Sequence, residues 1–210
     1  AFLCGWVSAG PNTTISNWSL LAGVILTGPL VCGASQIVND WYDRDVDALN
    51  EPQRPIPSGR VPGATAFKFA VLWTLIAQSW AVLLGTWVAV PTFIGLLLAW
   101  AYSAPPLRLK LNGWWGNSAV ALSYEGLAWV TGAAVVLAGN LPTTPILLIA
   151  LLYSIGAHGI MTLNDFKSVE GDLKMGIGSL PAQLGRERAA WTACVFMLLP
   201  QLVVVAMLVR

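Results

Sequence analysis

The sequence predicts an all-α, polytopic membrane protein, and three observations carry that prediction. Only 10% of the residues are charged and 56% are hydrophobic, whereas about 25% charged residues are typical of a soluble domain. Apolar stretches of about 17 to 25 residues, the length that crosses a bilayer as a helix, recur along the chain. The 11 tryptophans suit the two interfaces of a membrane. The net charge of +1 and the lack of a basic patch with interleaved aromatic residues give no indication of nucleic-acid binding.

Seven helical segments are predicted, the first of them partial. They lie near residues 1–9, 20–39, 64–84, 87–103, 116–138, 144–164 and 189–209. Turn-forming residues such as Pro11-Asn12 and Gly139-Asn140 mark the short connections. Three longer connections span 40–63, 104–115 and 165–188.

Basic residues predict the orientation of this bundle. Ten of the 11 Lys and Arg residues fall in or beside the three long connections, and Arg210 is the exception. The opposite connections, near 10–19, 85–91 and 139–143, contain neither residue type. Because positively charged connections stay in the cytoplasm, we expect the long connections on that side. Nine of the 10 acidic residues share it, which is more than orientation requires and indicates a site.

The chain is interpreted as one transmembrane domain over residues 1–210, truncated at both ends. Its first apolar stretch is short and follows no basic segment, which fits the end of a span better than a signal peptide. The last helix stops abruptly at Arg210. Cys4, Cys32 and Cys194 lie in apolar stretches without CxxC spacing, so we expect small buried hydrophobic residues rather than disulfides or metal ligands.

The densest polar feature is the first acidic segment, Asn39–Asp47, which follows an apolar run. On a helix, Asn39, Asp43 and Asp47 recur at four-residue intervals and share one broad face with Asp40. Asp45 points roughly the other way. Like charges on one face repel unless cations neutralise them, and Asp and Asn oxygens suit Mg²⁺. A solvated acidic helix end is the alternative, but charge at a membrane border is more often functional.

A second acidic segment, Asn164–Asp172, echoes the first. A spacing of 125 residues separates Asn39-Asp40 from Asn164-Asp165, and the same spacing separates Asp47 from Asp172. Each segment follows an apolar span and precedes a stretch rich in Pro, Gly and Ser. The pattern predicts two pseudo-repeated halves around a central cavity, with the two acidic segments facing each other across it.

Facing carboxylates with nearby basic residues indicate a ligand that attracts both signs of charge. A Mg²⁺-bound diphosphate does so, because carboxylates hold the metal while Arg and Lys neutralise the remaining phosphate charge. The candidates for the phosphate oxygens are Arg54, Arg108, Lys110 and Lys174; ordinary flanking charge is the alternative for each. There is no GxxxxGK[ST] loop for a nucleotide. In a membrane enzyme, the natural diphosphate carries a polyprenyl tail.

Two further polar residues are predicted to lie within the membrane. Glu125 is about nine residues into its helix, roughly 13 Å deep, and His158 precedes Asp165 by seven residues. Ionisable groups at such depth usually face a cavity. The alternative for each is a satisfied hydrogen bond between helices.

The first acidic segment matches the NDxxDxxxD signature of the intramembrane UbiA-type prenyltransferases, and residues 50–59 are similar to the loop that follows it there. Residues 39–59 and 164–172 most resemble the chlorophyll synthase and bacteriochlorophyll synthase branch. Two further stretches, 102–110 and 123–126, add to the likeness, which covers nearly the whole chain.

That resemblance implies a bundle of normally nine spans, of which about seven would be visible here, and a cavity open to lipid. It implies transfer of a phytyl or geranylgeranyl group from its diphosphate to the propionate of chlorophyllide or bacteriochlorophyllide, with release of pyrophosphate. This is the last step in making the pigment, and it would occur in the cytoplasmic or photosynthetic membrane of a photosynthetic organism.

The resemblance also implies roles for individual residues. Asn39, Asp43 and Asp47 would hold one Mg²⁺ with Asp40 beside them, and Asp165 and Asp172 would hold a second. These six would form the catalytic set. His158 could be an axial ligand of a pigment's central metal, and Glu125 could orient the macrocycle.

Ser168 is a departure from the pattern, because relatives that prenylate aromatic rings often carry a third Asp there. Two other interpretations are considered beside the pigment acceptor. One is a prenyltransferase for an aromatic or quinone precursor, and the other is an ion-coupled carrier with two pseudo-symmetric halves.

Overall fold

The computed structural model describes residues 1–10 and 17–209, which form a bundle of helices. The α-helices, in chain order, are α1 Phe2–Ser8, α2 Asn17–Ile25, α3 Gly33–Asn50, α4 Gly63–Leu84, α5 Thr86–Ser103, α6 Gly113–Ala121, α7 Ala128–Val136, α8 Thr144–Asn164, α9 Val169–Met175, α10 Leu180–Leu184 and α11 Arg186–Leu208. Two π-helical segments, Leu26–Cys32 and Leu122–Leu127, join α2 to α3 and α6 to α7. Short 3₁₀ turns occupy Leu109–Leu111 and Asp165–Lys167.

Six helical stretches of the described chain are long and apolar enough to cross a membrane. They are Trp18–Asn50, Gly63–Leu84, Thr86–Ser103, Gly113–Val136, Thr144–Lys167 and Arg186–Leu208. The predicted all-α, polytopic bundle is therefore confirmed. The predicted partial first helix is the short α1. The Pro11-Asn12 turn and Arg210 lie outside the described residues.

One helix boundary differs from the prediction. Residues 40–50 were expected to begin a connection, but α3 continues through the first acidic segment to Asn50. No Gly or Pro interrupts the chain there until Pro52. A residue before proline is driven away from helical geometry. Glu51 precedes Pro52 and has a ψ of 63°, so the helix ends at Asn50.

Small residues let the helices approach closely, as expected for packing in lipid. A Cβ on Gly5 of α1 would lie 1.9 Å from the Trp129 carbonyl oxygen, and one on Gly132 of α7 would lie 2.0 Å from the Phe2 carbonyl oxygen. Many apolar side chains remain exposed. Cys4 and Cys194 are among these exposed residues, so the expectation that all three cysteines are buried was wrong.

The three long connections meet at one end of the bundle. The Gly113 N–H donates to the Gly178 carbonyl at 2.6 Å, and the Gly178 N–H donates to the Leu111 carbonyl at 2.9 Å. These bonds join the connection after α5 to the connection after α9. At the opposite end, the Trp87 N–H donates to the Gly139 carbonyl at 3.1 Å and joins two short connections. This arrangement brings both acidic segments to the same end.

Candidate active site

The first acidic segment is organised around Arg54. Its Nη1 donates to Asp40 Oδ1 at 3.2 Å and to Asp47 Oδ2 at 3.1 Å, and its Nε donates to Glu51. Arg54 reaches back because the chain turns sharply after α3, with the Arg54 N–H bonded to the Glu51 carbonyl. The hydrogen bond with Glu51 raises the pKa of the Arg54 guanidinium, so it stays charged. Arg54, which the sequence placed beside the acidic face, therefore contacts its carboxylates.

Asp43 has a different counter-ion. Lys110 Nζ donates to Asp43 Oδ1, and both side chains are mostly shielded from solvent. Lys110 lies on the 3₁₀ turn after α5, where Arg108 adopts a left-handed conformation with φ 38°. Arg108 Nε is buried without a hydrogen-bond partner among the described residues. Lys110 thus meets the acidic segment, whereas Arg108 does not.

The remaining residues of the first segment divide as the helical pattern predicts. Asn39 Oδ1 accepts a hydrogen bond from Ser103 Oγ of α5 at 3.1 Å. The side chain of Asp45 is 85% exposed and lies 3.7 Å from Arg44 on the outside of the helix. Asn39, Asp40, Asp43 and Asp47 therefore face the bundle, and Asp45 faces away.

In the second acidic segment, the carboxylates accept hydrogen bonds from neutral side chains. Asn117 Nδ2 of α6 donates to Asp165 Oδ2 at 2.9 Å, and Ser168 Oγ donates to Asp172 Oδ2 at 3.0 Å. Asp172 is buried, and no Lys or Arg of the described chain forms an ion pair with Asp165 or Asp172. Glu170 and Lys174 are exposed on α9 and form no hydrogen bond or ion pair with these carboxylates. The segment is also not one helix, since a 3₁₀ turn separates α8 from α9.

Tyr102, near the end of α5, lies between the two segments. Asp43 and Asp165 both lie within electrostatic range of its hydroxyl group. Because Asp43 belongs to the first segment and Asp165 to the second, carboxylates of both segments lie near this tyrosine. Sequence reasoning missed Tyr102, Ser103 and Asn117. Asn117 could have been found as a polar side chain inside a predicted span, which is costly unless it has a partner.

A cavity of about 860 Å³ opens between the spans beside this convergence. Asn39 and Tyr102 line it next to the acidic segments, and Tyr124 and Glu125 line it further along the bundle. Much of the remaining wall is apolar, including Leu98 of α5 and Ile160 and Met161 of α8. Its volume lies toward the upper end of the usual range for ligand pockets.

His158 does not reach this cavity. It shares the face of α8 that carries Asp165, as the seven-residue spacing predicted, but that face is covered by α6. The His158 ring packs 5.9 Å from Trp114 and 4.8 Å from Phe196, measured between ring centroids. Both ring nitrogens are buried and lack a hydrogen-bond partner among the described residues. His158, which was expected to be a ligand of the pigment's metal, therefore packs against aromatic side chains between α6, α8 and α11.

The donor set of the two segments fits Mg²⁺. The oxygens of Asn39 and of the Asp residues are the ligands that this hard cation prefers. Within the described residues there is no group of three or more His, Cys, Asp or Glu side chains close enough to hold an ion alone. Magnesium in such sites is typically held by one or two carboxylates, with substrate phosphates and water supplying the remaining oxygens. Arg54 and Lys110 already lie against these carboxylates, which shows that the site attracts positive charge.

Comparisons with known proteins identify the family of this chain. The model of the UbiA prenyltransferase family matches residues 1–210. The chain is 54% identical over 212 residues to the bacteriochlorophyll synthase 33 kDa chain of Cereibacter sphaeroides, covering 100% of this chain and 69% of that one. It is 52% identical over 210 residues to the protein of the same name from Rhodobacter capsulatus, covering 99% and 69%.

The fold is also known from solved structures. A UbiA homolog from Archaeoglobus fulgidus, bound to DMAPP and Mg²⁺, superposes with a TM-score of 0.80 at 21% identity. The match covers 98% of this chain and 74% of the archaeal protein. At that identity the likeness concerns the fold, and it agrees with the helical bundle described above.

Proposed function

The chain belongs to the UbiA prenyltransferase family, and we propose that it esterifies the propionate of a chlorophyllide or bacteriochlorophyllide with a prenyl group. The prenyl group, phytyl or geranylgeranyl, comes from its diphosphate, and pyrophosphate leaves. The protein is an integral membrane prenyltransferase. The relatives that match at 52% and 54% identity are both named bacteriochlorophyll synthases, which favours a pigment over an aromatic or quinone precursor as the acceptor.

One observation carries the proposal: carboxylates of both acidic segments lie near Tyr102, which lines a large and mostly apolar cavity. A diphosphate bound at the acidic segments would leave its tail beside apolar walls. A lipophilic acceptor could enter the same space. The arrangement therefore suits a substrate with one highly charged end and one hydrocarbon end.

The acidic residues are proposed to hold Mg²⁺ in two groups. Asn39, Asp43 and Asp47 would hold one ion with Asp40 beside them, while Asp165 and Asp172 would hold the other. Bound there, Mg²⁺ would neutralise the diphosphate and favour its departure. The archaeal structure named above carries a prenyl diphosphate and Mg²⁺, which supports metal dependence in this fold.

The basic residues would complete the stabilisation of the leaving group. Lys110 and Arg54 lie against the carboxylates and can turn toward phosphate oxygens when a diphosphate arrives. Arg108 and Lys174 are further candidates, and the buried unpaired Nε of Arg108 supports its inclusion. As the bond between the prenyl carbon and the diphosphate oxygen breaks, both electrons leave with pyrophosphate. Fixed positive charge near that oxygen lowers the barrier.

The acceptor needs little activation. A carboxylic acid with a pKa of about 4 is already ionised at neutral pH, so its oxygen can bond to the prenyl carbon without a general base. Glu125 is proposed as an acceptor contact because it lines the cavity. His158 is not included, since Trp114 and Phe196 cover its ring.

We place the enzyme in the cytoplasmic or photosynthetic membrane of a photosynthetic organism, with both acidic segments on the cytoplasmic side. The support is the distribution of Lys and Arg, which concentrate in the long connections that meet at one end of the bundle.

The test is a reaction with purified protein in lipid nanodiscs. Geranylgeranyl or phytyl diphosphate, Mg²⁺ and either chlorophyllide or bacteriochlorophyllide would be supplied, and products would be identified by mass spectrometry. We expect an esterified pigment only with Mg²⁺ present. Prenylation of an aromatic precursor without any pigment ester would contradict the proposal.

A further inference from the structure

The second acidic segment is held by a residue outside it, Asn117 of α6. Asn117 is buried, and its Nδ2 donates to Oδ2 of the half-buried Asp165 at 2.9 Å. Among the described residues, no second hydrogen-bond donor reaches this carboxylate. Because an ionised carboxylate can only accept hydrogen bonds, the amide must turn its NH₂ group toward Asp165. The orientation of this carboxylate therefore depends on one buried side chain.

The amide that the sequence repeat would place in the second segment does not reach the site. Asn164 is the counterpart of Asn39 in the repeat. Asn39 faces the bundle and accepts a hydrogen bond from Ser103, whereas Asn164 is exposed and accepts one from Lys167 Nζ at 2.8 Å. The amide beside the second group of carboxylates is therefore supplied by Asn117, from a different helix.

The position of Asn117 is fixed by the packing of α6. A Cβ on the preceding residue, Gly116, would lie 3.0 Å from the Leu109 carbonyl oxygen, so a larger residue would crowd this contact. Glycine lets the first turn of α6 pack on the 3₁₀ turn that carries Lys110, and Lys110 donates to Asp43 of the first acidic segment. The same packed unit therefore holds a carboxylate of each segment.

The neutrality of the amide matters for the charge of the second segment. A Lys or Arg at position 117 would neutralise Asp165 and compete with a bound cation. An amide instead occupies one carboxylate oxygen, leaves the negative charge in place and leaves the other oxygen free. Asp172 lies within electrostatic range of Asp165. The second segment is thus oriented without being neutralised.

We propose that Asn117 is a positioning residue that orients Asp165 for Mg²⁺ at the second acidic segment. This inference rests on the proposed function, because it takes that segment to hold Mg²⁺ beside a prenyl diphosphate. Loss of the hydrogen-bond partner of a metal ligand typically weakens metal binding by about 10- to 100-fold. A bond that only joined α6 to α8 would instead affect the stability of the bundle.

The experiment measures bound metal directly. Wild type and Asn117→Ala would be placed in nanodiscs with the thiolodiphosphate analogue of geranylgeranyl diphosphate, whose carbon–sulfur bond resists ionisation. Binding of Mn²⁺, which accepts the same oxygen ligands as Mg²⁺, would be followed by electron paramagnetic resonance. We expect the wild type to bind one ion at each acidic segment. In Asn117→Ala one ion should keep its wild-type affinity, and the other should bind about 10- to 100-fold more weakly.

Asn164→Ala is the matched control, because it removes an exposed amide of the same segment that is hydrogen-bonded to Lys167. It should bind both ions as the wild type does. Asn117→Leu, which keeps the branched shape of Asn, is the second variant if Asn117→Ala does not fold, as judged by thermal unfolding. Wild-type affinity for both ions in the Asn117 variant, or equal weakening of both, would overturn the inference. A wild type that binds only one ion would overturn it as well.

Ester formation by the wild type with chlorophyllide and with bacteriochlorophyllide is measured in parallel. If the Asn117 variant loses affinity for one ion but the wild type forms no pigment ester, the proposed acceptor is wrong and the role of Asn117 stands. If an ester forms and the Asn117 variant binds both ions as the wild type does, only the role of Asn117 fails.

Discussion

The two acidic segments look alike in sequence but are neutralised differently. The first lies on the unbroken helix α3, and its carboxylates contact Arg54 and Lys110. The second spans the junction of α8 and α9, and its carboxylates accept hydrogen bonds from Asn117 and Ser168. The first segment therefore has its own counter-ions, while the second has only neutral donors in the described chain.

This difference indicates which half depends more on a bound cation. Carboxylates that already face Lys and Arg are stabilised without metal. Asp165 and Asp172 lack such partners, and Ser168 stands where a third carboxylate would have added more negative charge. We infer that neutralisation of the second segment depends on bound Mg²⁺ more than that of the first, and that Mg²⁺ binding there responds most to changes in local charge.

The largest effect is expected from removing carboxylates of the first segment. Asp43→Ala or Asp47→Ala should lower kcat/KM by about 1,000-fold, because the diphosphate would lose bound metal and the charge balance that supports its departure. Esterification of pigment under saturating prenyl diphosphate measures this. Asp45→Ala is the control on the same helix and should keep wild-type activity. A fully active Asp43→Ala protein would refute the assignment.

A smaller effect is expected from Lys110→Met, which removes the cation facing Asp43 while keeping much of the side-chain volume. The fall in kcat/KM should be about 100-fold, comparable to the loss of one transition-state donor. Lys68→Met removes an exposed lysine of α4 and should leave the rate unchanged. Equal rates for the two variants would show that Lys110 provides only flanking charge.

The smallest effect is expected from Ser168→Asp, which makes the second segment resemble the first. An added carboxylate beside Asp172 should lower the Mg²⁺ concentration for half-maximal activity by about 3- to 10-fold, because a carboxylate is a stronger ligand than a hydroxyl. Ser168→Ala is the control, because it removes the hydrogen bond to Asp172 without adding a charge. The half-maximal Mg²⁺ concentration of both variants is measured by titrating activity with Mg²⁺. A raised half-maximal concentration in Ser168→Asp would contradict the inferred dependence of the second segment on bound Mg²⁺.

Most of the correct predictions came from local sequence patterns. Span length and hydropathy predicted the six long helices, and the four-residue spacing predicted that Asn39, Asp43 and Asp47 share a face. The helix end after Asn50 was misplaced, because polarity was taken as the end of the span although the first helix breaker is Pro52. A helix can leave the membrane without ending, since its backbone bonds are internal.

Contacts between distant parts of the chain could not be predicted in this way. The partnership of Asn117 with Asp165 joins residues 48 positions apart, and that of Lys110 with Asp43 joins residues 67 apart. Sequence spacing placed His158 and Asp165 on one face of α8. It could not show that α6 covers that face at the depth of His158.

The sequence by itself determined the helical membrane bundle, the family and the two acidic segments, because these follow from composition, hydrophobic run length and spacing within single helices. Only the tertiary structure decided which acidic segment has cationic partners and which side chains line the cavity. The physical reason is that the rotation and packing of helices depend on close contacts between small residues of distant segments, as at Gly5 with Trp129 and Gly126 with Ser154. Those contacts determine where Glu125 and His158 face.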